Sequence, residues 1–205
     1  MNYFITAIGT DSGKTMISSA LSLAIGADYW KPIQAGFPTD TNTVKNLTDN
    51  QVTCHEEQYI LKTPASPHQA AKMDGIELSL RKFTRPKTNH NLVIEGAGGC
   101  MVPINNHEFM IDLVPKFGAE IILVSNLYLG SINHTILTLE LIKQRGYTLK
   151  AIIFNGPSNS ATEDIIMKNT SAPCLIKIPQ MDQVNQKSIY TLSQNIKKNW
   201  NELGW

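Results

Sequence analysis

Ile8-Gly9-Thr10-Asp11-Ser12-Gly13-Lys14-Thr15 follows the apolar run Tyr3–Ala7 and directly precedes the helix-like run Met16–Ala24. Gly-Lys-Thr between a strand and a helix joins three devices. Backbone N–H groups cradle an anion at a helix start, a lysine neutralises the outer phosphates, and a hydroxyl suits Mg²⁺. The position where such a loop usually opens with glycine carries Ala7, six residues before Gly13. Alone, Gly9 and Gly13 could merely shape a turn. Placed at the first strand–helix junction of an alternating chain, they read as a phosphate-binding loop.

Six short, β-branched segments read as buried strands: Tyr3–Ile8, Tyr29–Ile33, Leu92–Ile94, Glu120–Ser125, Ala151–Phe154 and Leu175–Ile178. Continuous apolar runs such as Ile121-Ile122-Leu123-Val124 suit a sheet covered on both faces, hence mostly parallel strands. Helical patterns lie between them. Thr15–Ile25 follows the loop; Pro67–Met73 has Ser66 as N-cap and Pro67 at the first helical position; Asn133–Arg145 ends at Gly146. Ser188–Leu203 places Ile189, Leu192, Ile196, Trp200 and Leu203 roughly on one face, which suits packing on the sheet. Pro38–Asn50 reads as the most polar, loop-like stretch. The alternation implies a three-layer, doubly wound α/β fold with a mostly parallel sheet, formed by one domain over residues 1–205.

Bulk properties narrow the function classes. A formal net charge of +1 gives no electrostatic case for nucleic acid or an anionic membrane. Cys54, Cys100 and Cys174 are scattered, which argues for reduced thiols in a cytoplasmic protein. The N-terminus lacks the basic-then-apolar layout of a signal peptide, and no apolar run approaches a membrane span. The five histidines show no metal-ligand spacing.

In open parallel sheets, ligands bind beyond the carboxyl ends of the strands. After the second predicted strand comes Lys31-Pro32-Ile33-Gln34-Ala35-Gly36, which could aim a second cation at the same phosphates. After the third comes Glu95-Gly96-Ala97-Gly98-Gly99, a carboxylate followed by residues small enough for close ligand approach. After the fourth comes Leu129-Gly130-Ser131-Ile132-Asn133-His134, an open helix start suited to an anion. After the fifth comes Asn155-Gly156, an amide placed for a base edge. Each feature alone has a structural explanation. Together, two lysines, a strand-end carboxylate and a Gly-Lys-Thr loop on one rim form the inventory of phosphoryl transfer, where catalysis is mostly positioning and electrostatics.

Gly-Lys-Thr at 13–15, Lys-Pro-x-x-x-Gly at 31–36, Pro-x-Ser-Pro-His at 64–68, Glu-Gly-Ala-Gly-Gly at 95–99 and Leu-Gly-x-Ile-Asn-His-Thr at 129–135 resemble, in order and spacing, the dethiobiotin synthetases. The resemblance extends from Met1 to about Pro179 and implies ATP- and Mg²⁺-dependent closure of a ureido ring on 7,8-diaminononanoate. It implies that Lys14 and Lys31 bind the γ-phosphate, that Thr15, Asp40 and Glu95 bind Mg²⁺, and that Thr10 and Asp11 sit over the phosphates near the carbamate. Ser12, Gly13, Gly96, Ala97 and Gly98 then line the nucleotide, and Asn155 and Gly156 meet its base. Ala35 lies beside the substrate, and Gly130, Ser131, Ile132 and Asn133 hold its tail carboxylate across a homodimer. Three positions depart from the family pattern: Ala7 for glycine, Ala35 for a hydroxyl residue and Tyr128 for lysine. The competing class is a nucleotide-switched partition or positioning ATPase on a related fold, whose signature lysine near the loop start is replaced here by Gly9.

Overall fold

The computed structural model describes residues 1–205. Strand β1 (Asn2–Ala7) leads through the phosphate loop into helix α1 (Lys14–Ile25), then β2 (Asp28–Trp30), β3 (Ile33–Ala35), α2 (Asp40–Leu47), β4 (Cys54–His55), β5 (Tyr59–Leu61) and α3 (Pro67–Asp74). The second half holds β6 (Leu92–Gly99), α4 (Leu113–Phe117), β7 (Glu120–Asn126), α5 (Ser131–Gln144), β8 (Leu149–Asn155), α6 (Ser160–Met167), β9 (Cys174–Ile178) and α7 (Gln186–Glu202). Seven strands form one parallel sheet in the order β4-β2-β6-β1-β7-β8-β9, so β1 and its loop lie in the middle. No helix is long and apolar enough to cross a membrane.

Strand alternation divides the interior into two cores. Tyr3, Ile5, Tyr29, Val93, Ile122 and Val124 face α1 and α7, joining Ile17, Leu21, Ile189 and Trp200. Phe4, Trp30, Ile94, Ile121 and Leu123 face the other way, toward α3–α6 and residues such as Ala70, Phe117, Leu139 and Ile166. This is the expected doubly wound, parallel α/β architecture. The face of α7 read from the sequence does pack inward: Ile189, Leu192, Ile196 and Trp200 are buried, while Leu203 lies at the margin.

Several local expectations change. The predicted strand Tyr29–Ile33 is two strands, because Pro32 has no N–H to offer a ladder. Its carbonyl instead accepts from Tyr59 N at 3.1 Å, and β3 pairs with β5 in a separate two-stranded sheet. The stretch Pro38–Asn50, read as loop, contains α2. That helix is polar because only Thr41 and Val44 are buried, and its start is fixed by Thr39 Oγ1 accepting from Asn42 N at 3.2 Å. The third predicted strand, Leu92–Ile94, continues through Gly99, so Glu95 and the small residues after it are sheet residues and not a loop.

Candidate active site

The phosphate loop is braced from beneath. Ser12 Oγ donates to Asn126 Oδ1 at 2.8 Å, and Asn155 Nδ2 donates to the Ser12 carbonyl at 2.9 Å, so the ends of β7 and β8 hold the loop. Gly13 sits at φ +86°, and a Cβ there would lie 2.5 Å from Asn155 Nδ2; glycine is required by both conformation and space. Asp11 also adopts positive φ, at the lip of the loop. Ala7 is buried in β1 opposite Gly99, whose own Cβ would come within 3.0 Å of the Ala7 carbonyl. Glycine at 99 is thus required by the approach of the Ala7 carbonyl, whatever side chain stands at position 7.

Glu95 is the centre of the polar network. Alternation along β6 puts it on the same sheet face as Val93, the face covered by α1. Its Oε1 accepts from Thr15 Oγ1 at 2.8 Å and from Lys31 Nζ at 3.1 Å; its Oε2 accepts from Tyr29 OH at 3.0 Å. Lys31 Nζ also pairs with Asp40 Oδ2, so one ammonium bridges two carboxylates. Burial alone pushes the Lys31 pKa down, but Glu95 and Asp40 outweigh it and raise the pKa above the usual lysine value. Lys14 has the opposite balance: desolvation lowers its pKa, Lys31 adds repulsion, and the more distant carboxylates compensate only in part. Its Nζ donates to the Gly9 carbonyl at 3.3 Å.

These groups line a cleft of about 700 Å³ at the carboxyl ends of β1, β2 and β6. Thr10, Asp11, Ser12, Gly13, Lys14, Thr15, Lys31, Ala35, Asp40, Glu95, Ala97 and Gly98 all contribute to its wall. Gln34, to which the motif itself assigns no role, lines it too. Its Oε1 accepts from Asp40 N at 3.0 Å and its Nε2 donates to the Gly36 carbonyl at 3.1 Å, tying β3 to the start of α2. Met16, Pro64, Ala65, Pro67 and Val102 add apolar surface.

Other residues stand elsewhere. Gly96 does not line the cleft. A Cβ there would meet the Phe4 ring at 3.0 Å, so its smallness serves packing. Asn155 and Gly156 also lie outside the cleft wall. Gly130, Ser131, Ile132 and Asn133 form the start of α5, away from this chain's own cleft, with Gly130 at φ +103° and Ser131 fully buried. Beside them, Tyr128 OH and His134 Nδ1 lie 2.6 Å apart. Tyr29 and Asn126 carried no motif. The available signal for Tyr29 was its place two residues before Lys31, which strand alternation turns to the same face.

The oxygen-rich donor set fits Mg²⁺. Thr15, Asp40 and Glu95 are hard donors, and the site already favours a cation, since Lys31 lies between the two carboxylates. There is no group of three or more His, Cys, Asp or Glu side chains arranged to hold a metal.

A Gly-Lys-Thr loop on the central strand of a parallel sheet, opening onto two buried lysines and a carboxylate, defines a P-loop nucleotide-binding protein. A family model described as an AAA domain matches residues 1–188. The ATP-dependent dethiobiotin synthetase BioD of Cytophaga hutchinsonii is 47% identical over 98% of both chains, and that of Christiangramia forsetii 42% identical over 96% of both. The chain belongs to the ATP-dependent dethiobiotin synthetase family. Among solved structures, a putative plasmid partition protein from Borrelia burgdorferi bound to AMPPNP superposes with a TM-score of 0.58 at 12% identity, covering 98% of both chains. The MinC:MinD cell division complex of Aquifex aeolicus gives 0.54 at 14% identity, covering 100% of this chain and 96% of that one. At such identities the likeness concerns the fold alone.

Proposed function

We propose that the chain is an ATP-dependent dethiobiotin synthetase that carboxylates 7,8-diaminononanoate with CO₂ and closes the ureido ring, releasing ADP and phosphate. One amine and CO₂ give a carbamate, whose oxygen attacks the γ-phosphorus as ADP leaves. The second amine then attacks the carbonyl of the carbamic-phosphoric anhydride, and phosphate departs. One domain over residues 1–205 carries the chemistry, in the cytoplasm.

The observation that supports this reading is the convergence of Lys14, Lys31, Thr15, Asp40 and Glu95 on one cleft. In it, Lys14 and Lys31 clamp the γ-phosphate and offset charge that grows in the transition state. Ser12 and Gly13 present backbone N–H groups to the phosphates, and Ala97 and Gly98 let the ligand approach. Thr10 and Asp11, on the lip, face the carbamate. Thr15, Asp40 and Glu95 would hold Mg²⁺, which when bound neutralises phosphate oxygens. Asn155, with one amide hydrogen engaged by Ser12, keeps its other hydrogen and its carbonyl for the base beside Gly156.

Alanine at position 35 removes a possible hydrogen bond, so the diamine's hold there rests on shape. The start of α5 at Gly130–Asn133 lies outside its own cleft, which suits an anion at this helix start, the tail carboxylate bound in a partner subunit of a homodimer. A coupled assay for ADP release that depends on both diamine and bicarbonate, with mass detection of the cyclic urea, tests the reading. ADP release indifferent to the diamine would favour a switch ATPase.

A further inference from the structure

We infer that Tyr29 is a positioning residue for the cation-binding carboxylate: its buried phenol holds Glu95 so that Oε1 faces the cleft. Tyr29 stands opposite Val93 in the β2–β6 pairing, and Glu95 lies two residues further along the same face. The ring thus runs beside the strand and delivers its hydroxyl to Oε2 at 3.0 Å. Tyr29 is fully buried, and Glu95 Oε2 is the only hydrogen-bond partner of its hydroxyl. Nothing in the apolar surroundings of the ring calls for a hydroxyl; Phe would fill the same space.

The geometry divides the labour on one carboxylate. Oε1 receives Thr15 and Lys31, both cleft-lining residues, whereas Oε2 is turned into the protein and would be unsatisfied without the phenol. A buried carboxylate oxygen without a donor is costly. Without Tyr29, the group can relieve that cost by rotating or by drawing Lys31 closer, and either change spoils Oε1 as an oxygen ligand. Outer partners that orient a ligand tune metal affinity in the same way at other sites, commonly by 10–100-fold.

The inference rests on the proposed assignment of Glu95 to Mg²⁺, and the test separates the two. Mn²⁺ binding to the protein loaded with a non-hydrolysable ATP analogue is followed by electron paramagnetic resonance for wild type, Glu95→Gln and Tyr29→Phe. Expected are measurable binding for wild type, loss for Glu95→Gln, and about tenfold weaker binding for Tyr29→Phe, with kcat recovered as Mg²⁺ is raised. Binding retained by Glu95→Gln would overturn the metal assignment, and the inference with it. Loss in Glu95→Gln with unchanged affinity in Tyr29→Phe would overturn the inference alone, as would a kcat loss that Mg²⁺ does not relieve. Should Tyr29→Phe fail to fold, wild-type protein labelled with 3-fluorotyrosine serves instead: one of six ¹⁹F resonances should shift on adding Mg²⁺ to the complex with the same ATP analogue. No shift at any of them would refute the role.

Discussion

Two buried carboxylates sit on neighbouring strands of one sheet and have opposite surroundings. Glu95, toward the carboxyl end of β6, accepts from Thr15, Lys31 and Tyr29 and borders the cleft. Asp28, at the start of β2, meets Thr88 Oγ1 at 2.7 Å, His55 Nε2 at 2.8 Å and His90 Nδ1 at 2.9 Å, and borders no cleft of the site. Both are nearly inaccessible, at 1% and 4% exposure. Burial and hydrogen-bond number therefore do not distinguish a cleft-lining carboxylate from one that only joins strands. The difference lies in the neighbours: Glu95 shares a lysine with a second carboxylate beside an anion-binding loop, whereas Asp28 ties β2, β4 and the approach to β6 together.

Substitutions sharpen the contrast. The largest effect is expected at Lys14→Ala, where kcat should fall by about 10³-fold or more, since a preorganised charge in a dry site supplies several kcal/mol to the transition state. Near-normal kcat with intact circular dichroism would contradict the assignment. Lys31→Ala should lower kcat by about 10²-fold while nucleotide Kd moves little, because its contribution is strongest as charge develops. A change confined to Kd in equilibrium titration would count against that role.

At the other end of the sheet the sign reverses: stability suffers and catalysis does not. Asp28→Asn should cost about 1–3 kcal/mol in urea unfolding, with kcat within twofold of wild type. Desolvation raises the Asp28 pKa, but hydrogen bonds from Thr88, His90 and His55 outweigh it, and the folded value lies below the ordinary one. Its contribution is therefore complete above the unfolded pKa and is lost as pH falls through the folded one, below about pH 4. Acid unfolding should show that loss in wild type and not in Asp28→Asn. The smallest expected effect is at neighbouring Cys54, whose thiol burial pushes up to about 11. Alkylation by iodoacetamide at pH 8 should be much slower than for a free thiol, as mass spectrometry can follow.

The cleft's outline could be read in the sequence because its residues fall in dense motifs at strand ends. Lys14, Thr15, Lys31 and Glu95 are each marked by a glycine or proline pattern and by the alternation of apolar strands and helices. What escaped has specific physical reasons. Helix α2 carries Asp40 into the cleft but turns so few apolar side chains inward that its periodicity is invisible. Strand β4 is two residues long and owes its existence to pairing with β2, which no local window reveals. Tyr29 looked like core because it is core; only the pairing with β6 brings its hydroxyl to a carboxylate. Gly96 and Asn155 also carry structural duties that no motif announces: the first makes room for Phe4, and the second braces the loop from below.

The ammonium of Lys31 acts as a built-in counter-ion for Asp40 and Glu95. On the proposed reading, a divalent ion arriving alone must evict it and leave a positive charge stranded in a dry pocket. A nucleotide arriving with its ion offers that charge a new home on the terminal phosphate. Metal and ATP should accordingly load together, and either should load poorly by itself.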